Sequence, residues 1–375
     1  MKRELPDIEI IDLDQESADN LTELYEFEES DEFNEMNNLD ELDEEPEKKG
    51  FHINIHIVLL ATAIIVFALI LYRVMNWGNF ISQEDIFSDG EGTYENMTLD
   101  SILPLLDENG NIVHLDDSDG LTIVTFGNAP FADDRYSKDN LANLIAERAN
   151  ATVYNCSISG SYLASEAIPY DHEEYPMDAY CFYWLTMLVC SDVDFSSYYE
   201  MAAMTLGDDT PPEAAEVIET LKSIDFNTVD AVIVMYDATD YMMNHPMNNG
   251  DYYKDPLCFV GNLAAGVEEI HLAYPHTRVI VLSPSYAFAL GENGEYISSD
   301  VQRYDYETLS TYCILEQETC SMMDVSFVDN IYGTITEDNA SEYLIDNLHL
   351  NSAGRSLIAD RAVEALFYYE WQEID

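Results

Sequence analysis

The sequence predicts an α/β fold, a parallel sheet covered on both faces by helices, placed behind a single transmembrane helix. Three observations predict it. Five short apolar, β-branched runs alternate with segments of helical spacing between residues 121 and 370, as expected of strands buried on both faces and joined by crossover helices. One uncharged apolar run, IVLLATAIIVFALILY at 57–72, stands alone upstream of them. Ahead of that run, the first fifty residues hold 20 Asp/Glu against 4 basic residues.

Charge of one sign at that density opposes compaction, so residues 1–52 are expected to form an acidic disordered tail. Leu21, Leu24, Tyr25, Phe27 and Phe33 could form a transient amphipathic helix within it; its partner is unknown. The run 57–72 would span about 24 Å as a helix, and extension to 53–75 gives about 34 Å, enough for a hydrocarbon core of about 30 Å. Asn54, His56 and Arg73 then fall where polar tips reach the interface. A cleaved signal peptide fits poorly, because the preceding region is long and acidic and RVMNWGNF offers no small-x-small cleavage site. Lys48 and Lys49 before the helix outnumber Arg73 after it, which favours a single-pass cell-membrane protein with a cytoplasmic tail and an extracytoplasmic carboxy-terminal domain.

A juxtamembrane segment, 76–120, leads into the α/β rhythm. LTIVTF (121–126) is the first strand and 137–149 a helix with apolar spacing at Leu141, Leu144 and Ile145. TVYNC (152–156) is the second strand, and 170–224 reads mainly as helix, with Pro211 and Pro212 at one helix start. VDAVIVMY (229–236), TRVIVLSP (277–284) and VSFVD (325–329) are the third, fourth and fifth strands, with helices expected at about 257–273 and 304–320. NSAGRSLIADRAVEALFYYEW closes the chain as an amphipathic helix.

Ligands of such sheets bind beyond the carboxyl ends of the strands. The segments there are FGNAPFADDR, NCSISGS and DATDYM, with DNLHLN before the last helix. Together these resemble the SGNH (GDSL) hydrolase superfamily over about residues 121–370. The resemblance implies a three-layer, flavodoxin-like, doubly wound parallel sheet of strand order 2-1-3-4-5, and ester hydrolysis or acyl transfer, often of acetyl groups on glycans. It implies a nucleophile position at the fourth residue of F-G-D-S, here Phe126-Gly127-Asn128-Ala129. It also implies oxyanion-hole donors at Ala129, at Gly160 of the second segment and at Thr239, where the family's G-x-N-D places Asn. The catalytic pair it implies, Asp346 and His349 of D-x-x-H, is intact.

Acyl transfer through serine needs a hydroxyl, a base to take its proton and donors for the oxyanion. Asp346 would orient His349, and His349 would be the base, but Ala129 has no hydroxyl and Thr239 replaces a reaching amide with a shorter group. Three functions follow from these departures. The domain is a disabled hydrolase that binds an acyl-bearing cell-envelope carbohydrate or lipid, or a small ester, through the cleft. Alternatively it is an active ester hydrolase or O-acetyltransferase in which His349 works with water or with Ser157, Ser159, Ser161 or Thr239. The third is an architectural role in an envelope complex. Taken singly, His349 could be a helix-start residue beside the caps Asn351 and Ser352, and Gly160 a turn glycine. Asp133, Asp134 and Arg135 read as a solvated ion-pair loop at the cleft mouth, and the Tyr and Met clusters around 180–184, 201–204 and 241–243 as core and lid packing.

Nothing in these segments calls for a cofactor or a metal, and no Cys/His pair has zinc spacing. The six cysteines are expected to be mostly free thiols. Of a net charge of −60, the tail and Arg73 account for the smaller part, since residues 76–375 carry 54 acidic against 9 basic side chains. That excess excludes nucleic acid as a partner and disfavours anionic ligands over neutral or cationic ones.

Overall fold

The computed structural model describes residues 98–107, 109–115 and 120–372. These fall in the second of two compact units, Glu91–Asp375. The expected tail (1–52) and transmembrane helix (53–75) lie outside the described residues, as does much of 76–120. Among the described residues no helix is long and apolar enough to cross a membrane.

The chain runs β1 (Thr122–Gly127), α1 (Ala129–Ala132), α2 (Leu141–Ala149), β2 (Thr152–Asn155), α3 (Phe182–Cys190), α4 (Ser196–Leu206), α5 (Ala214–Ser223), β3 (Ala231–Met235), α6 (Thr239–Met242), α7 (Phe259–Ala273), β4 (Arg278–Leu282), β5 (Phe288–Leu290), β6 (Tyr296–Ser298), α8 (Leu309–Met322), β7 (Ser326–Val328), α9 (Ala340–Tyr343), α10 (Ser352–Leu366) and α11 (Tyr368–Gln372). The main sheet has the order β2-β1-β3-β4-β7 with every pair parallel. This is the expected 2-1-3-4-5 order, with the antiparallel hairpin β5–β6 inserted ahead of the fifth strand.

Successive side chains of a strand point to opposite faces, and the five runs supply apolar residues to both. Ile123, Ile233, Ile280 and Leu282 pack with Leu141 and Ile145 of α2 and with Ile358 and Ala362 of α10. Val124, Phe126, Val232, Val234 and Val281 pack on the other face with Phe182 of α3, Phe259 of α7 and Tyr312 of α8. The result is a helix–sheet–helix sandwich. The helical stretch expected over 170–224 is broken into α3, α4 and α5, with one 3₁₀ turn ahead of α3 and another between α4 and α5, because 191–195 and 207–213 are rich in Ser, Asp, Gly and Pro.

Helix α10 is fixed at both ends. Asn351 caps its first turn by accepting from the Ala353 and Gly354 amides at 2.9 and 3.0 Å. At the other end Arg278, the first residue of β4, donates to the Leu366 and Ala365 carbonyls at 2.7 and 3.0 Å. Residues 99–103 border the sheet edge beyond β7, where Ser101 and Phe327 exchange backbone bonds and Asp100 receives Arg361 at 2.7 Å. All six cysteines are unbridged; Cys181 bonds through sulfur to Ser165 and Asn262.

Candidate functional site

Strand β1 ends at Gly127, where only glycine fits: a Cβ there would lie 1.9 Å from the Met235 carbonyl oxygen on β3. The chain then turns into the short helix α1, whose first residue is Ala129. Asn128, buried between the two, ties the site together. Its side-chain amide donates to Asp237 Oδ1 at 2.7 Å and to the Ser161 carbonyl at 3.0 Å, while its Oδ1 accepts the Asp237 N–H at 2.9 Å. One side chain thus links the segments that follow β1, β2 and β3. The Ile158 N–H, bonded to the Gly127 carbonyl at 2.9 Å, holds the second segment against β1.

Gly160 sits at φ +72° in a turn closed by the Ser161 N–H on the Ile158 carbonyl, so the turn role is real. Space is open where a side chain would be. Thr239 opens α6 and is half-buried; its N–H donates to Asp237 Oδ1 at 3.0 Å.

Asp346 and His349 form the expected pair, with His349 Nδ1 2.8 Å from Asp346 Oδ2. Asp346 Oδ1 accepts the Leu348 and His349 amides at 2.8 Å each. Burial alone would raise the Asp346 carboxyl, but these amides and the imidazole outweigh it and leave it below its ordinary value. The loop is closed by a bridge between Leu344 and Leu350 and by the Ile345 N–H on the His349 carbonyl at 2.8 Å. The hairpin holds it from outside: Phe288 N–H donates to the Asn347 carbonyl at 2.8 Å, and Asn347 Nδ2 returns a bond to the Phe288 carbonyl at 2.9 Å.

The electrostatics of the cleft are acidic. Burial works against charge on His349, but the hydrogen bond and charge of Asp346, then the charges of Asp133 and Asp237, outweigh it and raise its pKa. Burial likewise raises Asp133 and Asp237, and His349 partly offsets both. His349 is therefore bonded to one carboxyl, Asp346, and feels the charges of two more, Asp133 after α1 and Asp237 after β3.

The loop at 133–135 differs from the expected local ion-pair loop. Asp134 pairs with Arg355 of α10 at 2.9 Å, while Arg135 donates to the Asn155 and Ser157 carbonyls. The charge of His349 acts on Asp133 and lowers its carboxyl against the effect of burial. Arg355, whose Nη1 also donates to the Leu350 carbonyl at 2.9 Å, fixes this loop beside the His349 segment. The side chains expected to supply a substitute nucleophile separate into two groups. Ser157 and Ser161 are fully buried, and Ser161 Oγ donates to the Ile158 carbonyl at 2.8 Å; Ser159 and Thr239 remain partly exposed. The aromatic clusters are mixed as well: Tyr180, Phe182 and Tyr241 are core, whereas Met204 and Met243 face solvent.

A second acid–base group braces the site from behind. His245 Nδ1 lies 2.8 Å from Asp240 Oδ1 and Nε2 3.2 Å from Glu166 Oε1. Asp240 also accepts the Leu163 and Ala164 amides at 2.9 and 2.8 Å, which ties the loops after β2 and β3 together. Sequence reasoning missed Asn128, Asp133, Asp237 and His245 as site residues. The signal for two of them lay in the motifs: Asn stands where the family has Asp in F-G-D-S, and Asp stands where it has Gly in G-x-N-D.

No family model matches the sequence, and no curated protein matches it significantly. Among solved structures, similar ones include a carbohydrate acetylesterase, Est24, from Sinorhizobium meliloti, at 14% identity and TM-score 0.38 over 66% of this chain and 99% of that one. An aryl esterase from M. smegmatis is similar at 15% identity and TM-score 0.38 over 65% and 97%. A protein described as a possible lipase from Chitinophaga pinensis is similar at 12% identity and TM-score 0.42 over 66% and 98%.

Proposed function

We propose that this chain is an SGNH-like protein, anchored by residues 53–75 with its tail inside, whose strand-end cleft binds an acyl-bearing envelope carbohydrate or lipid without running ordinary serine ester hydrolysis. The observation that carries this is Ala129. It is buried at the head of α1, next to Asn128, at the position where the resemblance puts the nucleophile, and it carries only a methyl group. Removing a serine nucleophile from such machinery costs about 10⁶ in turnover. The surrounding carboxylates favour a neutral or cationic ligand.

The intact Asp346–His349 pair, partly open to solvent with side chains 46% and 40% exposed, supports a second reading. In it His349 activates water or the Thr239 hydroxyl toward an acyl ester. Its raised pKa leaves a smaller share of it neutral, and so able to act as a base, near neutrality than in an ordinary imidazole.

Calorimetric titration of the full chain in detergent with acetylated and deacetylated glycan fragments tests the first reading. Binding of the acetylated fragment that is lost in Ala129→Trp, which fills the cleft, is the expected result; equal binding by both proteins would place the ligand elsewhere. Membrane attachment is checked separately: the full chain should resist alkaline carbonate extraction, and a chain lacking 53–75 should not.

A further inference from the structure

One exposed ring on the loop after α1 is held more firmly than an ordinary surface side chain. Tyr136 is 80% exposed, yet its hydroxyl donates to Glu216 Oε2 at 2.6 Å. Its backbone is clamped on both sides, because Asn143 Nδ2 donates to the Arg135 and Ser137 carbonyls at 3.0 and 2.8 Å. Arg135 donates in turn to the Asn155 carbonyl at 2.6 Å and to that of Ser157. Arg355 donates to Asp134 Oδ2, to the Asp139 carbonyl and to the Leu350 carbonyl, each at 2.9 Å, which pins the loop to the segment of His349. Helix α5 supplies the remaining link. Glu213 and Glu216 stand one turn apart at its head, and Glu213 Oε1 accepts the Ser159 N–H at 2.5 Å. The Tyr136 hydroxyl and the turn of Gly160 are thus fastened to the same helix end, and space is open where a Gly160 side chain would stand.

We propose that Tyr136 is the stacking platform for a sugar ring, which makes the ligand of this cleft a neutral acylated glycan rather than a lipid. This deepens the reading of the cleft as an acyl-ligand site and rests on it. A tyrosine offers a large, rigid, amphipathic surface at low entropic cost, and here the hydroxyl and both flanking peptides are already fixed. Its surroundings select the ligand. Along the loop from 133 to 140 and along α5, Tyr136 is the one large apolar side chain that is exposed. An acyl chain needs a continuous apolar groove, which one ring among the exposed Asp134, Lys138, Glu216 and Glu219 does not make. A sugar ring needs less: an aromatic face for its C–H face, and acceptors for its hydroxyls. Glu216 has lone pairs to spare beyond the one that Tyr136 takes. The acidic excess of the domain disfavours an anionic sugar, so the ring is a neutral one.

The test is calorimetric titration of the full chain in detergent with two probes. One is O-acetylated chitotetraose, a neutral glycan; the other is monobutyrin, an acyl ester with no sugar ring. Wild type should bind the glycan more tightly than monobutyrin, and Tyr136→Ala should weaken glycan binding about thirtyfold, as loss of an aromatic anchor does. Tyr136→Phe keeps the ring and loses only the bond to Glu216, so it should stay within about fivefold of wild type. Because the ring is exposed, both variants should fold as wild type does, which circular dichroism checks. Equal losses in the two variants would overturn the proposal, since the side chain would then act only by tying the loop to α5. So would a Tyr136→Ala protein that binds the glycan as wild type does, or a wild type that binds monobutyrin at least as tightly as the glycan. Failure of the underlying reading looks different. Glycan binding that survives in Ala129→Trp but falls in Tyr136→Ala would keep the platform and defeat the cleft. Monobutyrin bound by wild type and lost in Ala129→Trp, with no glycan binding, would keep the cleft and defeat the platform. A wild type that binds neither probe would defeat both.

Discussion

Asn128→Ala is the most informative single perturbation of the fold at the site. It removes the 2.7 Å bond to the Asp237 carboxylate, a charge-assisted interaction worth about 1.5–3 kcal/mol. It also leaves the Ser161 carbonyl and the Asp237 N–H buried without their partner, each costing about 1–3 kcal/mol. Water entering the vacated space recovers part of this, so a net loss of about 4 kcal/mol is expected. For a domain of this size that corresponds to about 8–16 °C in Tm. The assay is urea unfolding of the full chain in detergent, followed by circular dichroism, as a cycle of Asn128→Ala, Asp237→Ala and the double variant. The two sites should couple by about 1.5–3 kcal/mol, because the second substitution removes the buried charge that the first leaves unsupported. Additive costs, or an Asn128→Ala loss below about 1 kcal/mol, would refute the reasoning. Asn128→Asp carries a further expectation: two carboxylates at that separation cannot both ionise, so the folded variant binds an extra proton and its stability should fall as pH rises above the carboxylate range.

Other expectations follow from single contacts. Gly127→Ala drives a Cβ into the Met235 carbonyl, so β1 and β3 must separate; a loss of at least about 3 kcal/mol is expected, and a fully folded variant with unchanged urea midpoint would contradict it. The pKa of His245 is raised because the hydrogen bond and charge of Asp240, followed by Glu166, outweigh burial. Its advantage over His245→Gln should therefore be full below about pH 6.5 and shrink as pH rises through the folded value, and equal losses at pH 6 and pH 9 would count against it. Glu316 lies buried on α8 with Oε2 unpartnered, and burial raises its pKa well above 4.5. The stability it allows is full below about pH 4.5 and lost as pH rises toward the folded value, so Glu316→Gln should be the more stable protein at pH 8; a less stable variant there would show that the carboxyl has a partner.

The parallel sheet was legible because its strands bury both faces, so runs such as VDAVIVMY stay apolar throughout and their order could be matched to helices of ordinary length. The β5–β6 hairpin was not legible. Its strands are three residues each, with burial that does not alternate cleanly, and its Phe288 backbone bonds to Asn347, which leaves no side-chain pattern. At the site, four segments in order offered Ala129, Gly160, Thr239 and the Asp346–His349 pair, and of these the structure shows the bond between Asp346 and His349. Asn128 and Asp237 were visible only as departures from a motif. Their meaning depends on a contact across 109 positions, which no local pattern encodes. The expected ion-pair loop at 133–135 went astray for the same reason: Asp134 had a partner in Arg355, 221 residues away.

The central claim is that the cleft has lost its ester chemistry while keeping its Asp–His pair. Turnover of a short-chain acetyl ester by the full-length wild type and by His349→Ala measures this most directly. The account predicts the same slow rate for both, no greater than that of an unrelated protein of equal charge. A wild-type rate well above that background, abolished in His349→Ala, would contradict it.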